Sequence, residues 1–329
     1  MPVLIGEAVL KRLSFTCLIL ASLLLSADSR ADVPASSAAL PDAVEIRLIT
    51  YNVQNLPGSD FDSRAPALIA LLDNYDLAVL QEDFTPGGLY SRWGSTVHRG
   101  PMPRWRWHNM LAPLFRPLGY AAPYDSGLTV LAGEAGQGRV TLIEPLVLLP
   151  FEVCHGIVTY SHDCWANKGL LGVRVTLTNG AGFDLYTTHM DAGSHEGDHQ
   201  ARVAQLALAE EAIATFSADR AVVFAGDFNT PRKRPRQHAA FAASMAAIGL
   251  EDSMARPTHA DWHACQRDFI FLRSGGGVRL EVREAGEPSA STPGAGPEGV
   301  DFCAGDSWRG RALSDHPALA VTLAISAAE

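Results

Sequence analysis

Beyond its first thirty residues the chain has no apolar run long enough to cross a bilayer, so nothing after that point reads as a membrane span. No Cys/His spacing matches a structural zinc site, and no internal repeat points to a solenoid or propeller array. Positive charge is scarce: 26 lysines and arginines face 36 aspartates and glutamates, for a formal net charge of −10. That balance argues against a general nucleic-acid binder, although a local basic patch would suffice for a nuclease. What remains is a chain of 329 residues, 47% hydrophobic and 19% charged, with material for one large core or two small ones.

The N-terminus stands apart. Lys11 and Arg12 precede a nearly uncharged run from Leu13 to Leu25, and Ser29 and Ala31 stand three and one residues before Asp32. This is the pattern of a secretory signal peptide over residues 1–31; an N-terminal anchor would need a longer run. Cleavage would remove three basic and two acidic residues, taking the net charge from −10 to −11. Residues 32–44 read as a flexible lead-in, and residues 45–329 as the folded domain. Export would leave four of the five cysteines. Cys154 with Cys164 and Cys265 with Cys303 is the pairing that needs the fewest chain crossings.

Apolar periodicity places strands at Val44 to Val53, Leu77 to Gln81, Gly127 to Leu131, Arg139 to Leu149, Gly169 to Leu177, Phe183 to Thr188, Ala221 to Ala225 and Ala318 to Leu323. Phe269 to Leu272 and Val278 to Val282 read as a hairpin around Gly275-Gly276-Gly277. Helices are expected over Arg64 to Leu72, Asp198 to Phe216 and Gln237 to Ile248. The second has a stripe of Val203, Leu206, Ala209, Ile213 and Phe216. The sum is an α/β fold: a four-layer sandwich of two mixed β-sheets packed face to face, with helices outside.

Six polar motifs sit at strand tips: Thr50-Tyr51-Asn52, Leu80-Gln81-Glu82, Thr188-His189-Met190, Gly226-Asp227-Phe228-Asn229, Arg267-Asp268-Phe269-Ile270 and Ser314-Asp315-His316-Pro317. Carboxylates at the ends of buried strands are costly without compensation, and a hard divalent cation supplies it. Asn52 and Glu82, with Asp315 nearby or bridged by water, suit Mg²⁺, with Mn²⁺ or Ca²⁺ as substitutes. His189 and His316 are candidate acid and base. Asp227 and Asn229 would orient an attacking water, and Asp268 would fix a histidine tautomer. Each motif alone reads as an ordinary turn or packing element; the ordered series does not.

The series resembles the endonuclease/exonuclease/phosphatase superfamily, the deoxyribonuclease-I-like fold, from Ile49 to Val321. The resemblance implies a metal-dependent phosphoester hydrolase. In it Asn52 and Glu82 bind metal, and Asp315 is a metal or histidine partner. His189 is the acid or phosphate ligand and His316 the general base. Asp163-Cys164-Trp165-Ala166-Asn167-Lys168-Gly169 is similar to an element of the sphingomyelinases, which would set Lys168 against a phosphate. Trp105 and Trp107, within an Arg-rich aromatic stretch, suit a lipid headgroup layer or stacked bases. Arg232, in the basic run after Asn229, would attract an anionic substrate. The expectation is a secreted or periplasmic, Mg²⁺-dependent, sphingomyelinase-C-like phosphodiesterase acting on a lipid headgroup at a membrane surface, with no protein partner implied. A secreted nuclease of the same fold and a non-catalytic lipid- or polymer-binding module are the alternatives.

Overall fold

The computed structural model describes residues 43–56, 59–84, 89, 97–99, 126–136, 138–156, 163–254, 265–289 and 313–328. The expected signal peptide and most of the lead-in lie outside them, as do Trp105, Trp107 and Cys303.

Two six-stranded mixed sheets form the centre. The first is built of β1 (Val44–Asn55), β2 (Leu77–Asp83), β3 (Val97–Arg99), β4 (Thr129–Ala132), β11 (Val278–Gly286) and β12 (Leu319–Ala327), in the order β11-β12-β1-β2-β4-β3. The second has the order β5-β6-β7-β8-β10-β9. Its strands are β5 (Val140–Pro150), β6 (Gly169–Leu177), β7 (Gly182–His189), β8 (Val222–Asp227), β9 (Glu251–Asp252) and β10 (Asp268–Arg273). Helix α1 (Phe61–Leu72) packs on the outside of the first sheet through Phe61, Ala65, Leu68, Leu71 and Leu72. Helices α2 (Glu196–Phe216) and α3 (Pro235–Ala247) cover the second, where Phe224, Phe228, Phe241, Phe269 and Phe271 form an aromatic cluster of mostly edge-on contacts, with Phe269 and Phe271 stacked. This is the expected four-layer sandwich. Among the described residues no helix is long and apolar enough to cross a membrane.

Side chains alternate across a strand, and that alternation positions the site. The inner row of β1 is Ile46, Leu48, Thr50, Asn52; that of β7 is Phe183, Leu185, Thr187, His189; β8 contributes Val223, Ala225, Asp227; β10 contributes Leu272, Ile270, Asp268. Each row begins in the intersheet core and ends in a polar group at the same edge. Burying one such apolar side chain is worth roughly 1.5–3 kcal/mol, and a one-residue slip would turn the whole row outward. The core therefore fixes which way the functional groups face.

Two sequence expectations are corrected. Phe269 to Leu272 and Val278 to Val282 do not form a hairpin: β10 pairs with β8 and β9, whereas β11 pairs with β12 in the other sheet. Ile270, Leu272 and Val278 all enter the intersheet core, so the glycine-rich link carries the chain across the sandwich rather than back along one sheet. Gly276 and Gly277 take φ of 60° and 71°, where a side chain would be strained. In α2 the ends of the predicted stripe, Val203 and Phe216, are 55% and 46% exposed. The buried face near its start is polar instead, formed by Asp198, Arg202 and Gln205, which bond the loop after β7 and the segment before residue 156.

Candidate active site

Across the second sheet, His189 registers with Asp227 and Asp227 with Asp268, so three of the expected residues form one row of inward side chains. The first sheet brings Asn52 opposite this row, and the segment entering β12 brings His316. Asn52 Nδ2 donates to Glu82 Oε1 at 3.0 Å and to Asp227 Oδ2 at 3.2 Å. His189 Nε2 and His316 Nε2 approach that same Asp227 oxygen at 3.5 and 3.6 Å. His316 Nδ1 is 2.7 Å from Asp268 Oδ2, which fixes the ring. Asn229 accommodates a left-handed φ of 50°. Its backbone N–H donates to Asp227 Oδ1 at 2.9 Å and its Nδ2 to the Met190 carbonyl, also at 2.9 Å.

Strict alternation would send Glu82 outward, because Gln81 belongs to the inner row of β2. Glu82 instead takes φ of 57°, and its carboxylate reaches Asn52 and lies 3.8 Å from His189 Nε2. Backbone strain of this kind costs roughly 1–3 kcal/mol and collects at functional sites. Gln81 is a residue whose role sequence reasoning missed. Fully buried, it donates to Thr50 and Thr187 and ties the two sheets directly beneath the site. Gly226 is required for the same closeness: a Cβ there would lie 2.3 Å from the Thr188 carbonyl oxygen.

Lys168 belongs to the site. Its Nζ donates to Met190 O at 2.7 Å, pairs with Asp163 Oδ1 at 2.6 Å and lies 3.1 Å from His189 Nε2. Asp163 opens the same short element, but nothing in its spacing to Lys168 assigned it a role. Cys154 and Cys164 form the expected disulfide. Cys265 is also disulfide-bonded. Arg232 has other partners: its guanidinium pairs with Asp252, donates to Gln266 Oε1 and stacks over Phe269 at 5.3 Å. The structure thus shows Arg232 in packing and an ion pair just past the Asp227–Asn229 segment. Asp315 is half-buried beside Ser314, whose hydroxyl donates to the Asn52 carbonyl.

The electrostatics divide the histidines. Burial works against a charge on His316, but the Asp268 and Asp227 carboxylates hold its pKa up at about 9. Burial, reinforced by the Lys168 cation, drives His189 down to about 3. His189 is therefore neutral at physiological pH, with its Nε2 beside the Lys168 ammonium. Burial opposes ionisation of Asp227, yet His316, His189 and Arg267 bring it down to about 2. Burial pushes Asp268 up, against the His316 charge. Glu82 is pushed up by burial and, against the Asn52 hydrogen bond, by Asp315.

The donor set fits a hard cation. One atom each of Asp227, Asp268 and His316 lie within 4.8 Å of one another. The second oxygen of Asp268 is buried without a hydrogen-bond partner. Glu82 faces the site with the Asn52 amide as its donor and His189 at 3.8 Å. One expected ligand is turned: Asn52 Oδ1 accepts from Gln54 N at 3.1 Å, so the amide presents its NH₂ to the carboxylates rather than an oxygen. In this arrangement Asn52 spaces two carboxylates apart, with Glu82 and Asp315 the carboxylate donors beside it expected for metal.

The family model described as the endonuclease/exonuclease/phosphatase family matches residues 49–316, which spans every residue of the site from Asn52 to His316. The chain belongs to the endonuclease/exonuclease/phosphatase family. Solved structures agree on the fold. D. rerio TDP2 complexed with single-strand DNA product is 19% identical, with a TM-score of 0.53 over 85% of this chain and 98% of that one. A Staphylococcus aureus beta toxin variant with bound magnesium ions is 14% identical, with a TM-score of 0.52 over 84% and 99%. The human Nocturnin catalytic domain with bound sulfate is 17% identical, with a TM-score of 0.54 over 86% and 94%. At these identities they show the endonuclease/exonuclease/phosphatase fold and nothing finer. No match was found among curated proteins.

Proposed function

We propose that this chain is an exported, Mg²⁺-dependent phosphodiesterase of the sphingomyelinase C kind, cleaving a phosphodiester at a lipid headgroup. The observation that carries the reading is Lys168 Nζ, 3.1 Å from His189 Nε2. It supports taking the Asp163–Gly169 element as part of the phosphate site rather than as a turn outside it. Glu82 and Asp315, beside Asp227, would hold the cation, whose chemistry when bound is electrostatic stabilisation of charge developing on the phosphate. The Lys168 ammonium, buried beside His189, adds a fixed positive charge against the same developing charge. Asp227 and Asn229 orient the attacking water. Asp227 takes the proton of that water, and His316, held by Asp268 and protonated at rest by its raised pKa, gives its proton to the leaving-group oxygen. His189, in contact with Lys168 and Asp227, stabilises the developing charge.

The test is a parallel assay of the mature protein with Mg²⁺ on sphingomyelin vesicles, plasmid DNA and an inositol phosphate. Release of phosphocholine is expected. Nicked plasmid without phosphocholine would replace the reading with a nuclease. Binding without turnover of any of the three would replace it with a non-catalytic module. Export is checked separately by N-terminal sequencing of the secreted protein, with Asp32 expected as the first residue.

A further inference from the structure

The backbone ladder between β1 and β12 stops at Thr50–Leu319. Above that rung, two stretches run on without backbone bonds to each other among the described residues: the end of β1 with Asn52, and the approach to β12 with Asp315 and His316. They nevertheless have to keep Asn52 and His316 on the same oxygen of Asp227.

A side chain from a third element bridges them. Arg64, in the first turns of α1, is 9% exposed. Its Nη1 donates to the Val53 carbonyl at 3.1 Å and to the Leu313 carbonyl, its Nη2 to the Gln54 carbonyl at 3.0 Å, and its Nε to Asp60 Oδ1 at 2.8 Å. Val53 and Gln54 directly follow Asn52; Leu313 directly precedes Ser314, Asp315 and His316. The chain of contacts continues into the site. Gln54, held at a left-handed φ of 47°, donates its N–H to Asn52 Oδ1, which turns the amide NH₂ toward Glu82 and Asp227. On the other side the Ser314 hydroxyl donates to the Asn52 carbonyl at 2.6 Å and accepts the His316 N–H at 3.3 Å. A guanidinium suits this work because its fork of fixed donors stays charged and can hold three carbonyls at set angles; an ammonium is one point charge.

We propose that Arg64 is a positioning residue: a clamp from α1 that fixes the strand end carrying Asn52 against the segment carrying Asp315 and His316. It touches neither substrate nor metal. The proposal rests on the phosphodiesterase reading only for its kinetic consequence.

The experiment compares Arg64→Met and Arg64→Lys with Arg139→Met, which breaks a half-buried arginine's ion pair to the fully buried Asp76 before β2. Three quantities are read: Mn²⁺ affinity by electron paramagnetic resonance, the His316 imidazole resonances by NMR, and kcat and KM on the best phosphodiester. Arg64→Met is expected to weaken Mn²⁺ binding about tenfold and to shift or broaden the His316 signals. It should lower kcat about 100-fold with KM moved less than about threefold. Arg64→Lys should fall between it and wild type. Arg139→Met should lose melting temperature while leaving all three as they are. Wild-type Mn²⁺ affinity and His316 signals in Arg64→Met would overturn the clamp, as would the same changes in Arg139→Met. Should Arg64→Met fail to fold, Arg64→Lys decides, and wild-type values in it overturn the proposal. A wild-type protein without phosphodiesterase activity, whose Mn²⁺ and imidazole responses still depend on Arg64, would leave the clamp standing and remove the hydrolase reading.

Discussion

Carboxylates are buried at both ends of the sandwich, and the two ends treat them differently. Before β2, Asp76 accepts from Arg139 Nε and Nη2 at 3.0 and 2.6 Å and from the Arg47 N–H at 2.7 Å. At the start of β7, Asp184 accepts from Arg174, Arg220 and the Ser217 hydroxyl. Both are fully buried and both have arginine partners whose charge does not titrate. At the opposite edge, Asp227 and Asp268 are just as deep, but their partners are histidines, the Asn52 amide and the Asn229 N–H, with no arginine hydrogen bond among the described residues, and one oxygen of Asp268 has no hydrogen-bond partner. One end is closed by its own cations; the other is short of positive charge. Equal burial with unequal compensation is what separates a structural ion pair from a site prepared for a cation.

The largest expected effect tests that division directly. His316→Ala or Asp227→Asn should lower kcat at least about 10³-fold, as loss of a general acid–base group does, with the melting temperature within a few kelvin of wild type. Activity retained with a collapsed melting temperature would assign these residues to packing. Asp184→Asn should do the reverse. Removing one partner of a buried charge cluster costs about 3–5 kcal/mol, seen in urea unfolding, while kcat of the folded fraction stays near wild type. Third, saturating Mg²⁺ or Mn²⁺ should stabilise the EDTA-treated protein by about 2.7 kcal/mol at a hundred times the Kd. Glu82→Gln should abolish that gain and Asp76→Asn should not. Equal metal stabilisation of wild type and Glu82→Gln would place the cation elsewhere.

The smallest effect is in pH. His316 has its folded pKa raised from 6.5 to about 9. The folded state therefore binds its proton more tightly than the unfolded chain. That stabilisation is complete below pH 6.5 and disappears as pH rises through about 9. Metal-free wild type should lose a few kelvin of melting temperature over that interval, and His316→Gln should lose less. Identical slopes would mean that Asp268 and Asp227 do not hold the proton.

Much of the site was legible in the chain because strand periodicity and polar tips coincide. Asn52, His189, Asp227 and Asp268 each end an inner row, and an inner row can be read two residues at a time. Glu82 was found by its motif, not by its phase, since the alternation points it outward and only the left-handed turn at its own backbone brings it in. The same reading failed for the link at Gly275-Gly276-Gly277. A glycine run between two apolar strands looks alike whether it folds back or crosses to a second sheet. Only the shared core of Ile270, Leu272 and Val278 distinguishes them. The roles of Arg64 and Gln81 carried no signal, because each acts through a partner distant in sequence or through backbone carbonyls, which have no letter in the sequence, and Asp163 stood in a quoted element without a role.

By itself the sequence determined the layered α/β class, the order of the polar tips and the family chemistry they resemble, since those depend on local alternation and residue type. Tertiary structure alone decided which atoms meet. It turned the Asn52 amide nitrogen toward the carboxylates, gave Lys168 to His189, occupied Arg232 with Asp252, and left Asp268 short of a partner. The physical reason is range: apolar patterning acts between near neighbours, whereas the charge state of a buried group depends on everything packed within a few ångströms of it, from whatever part of the chain.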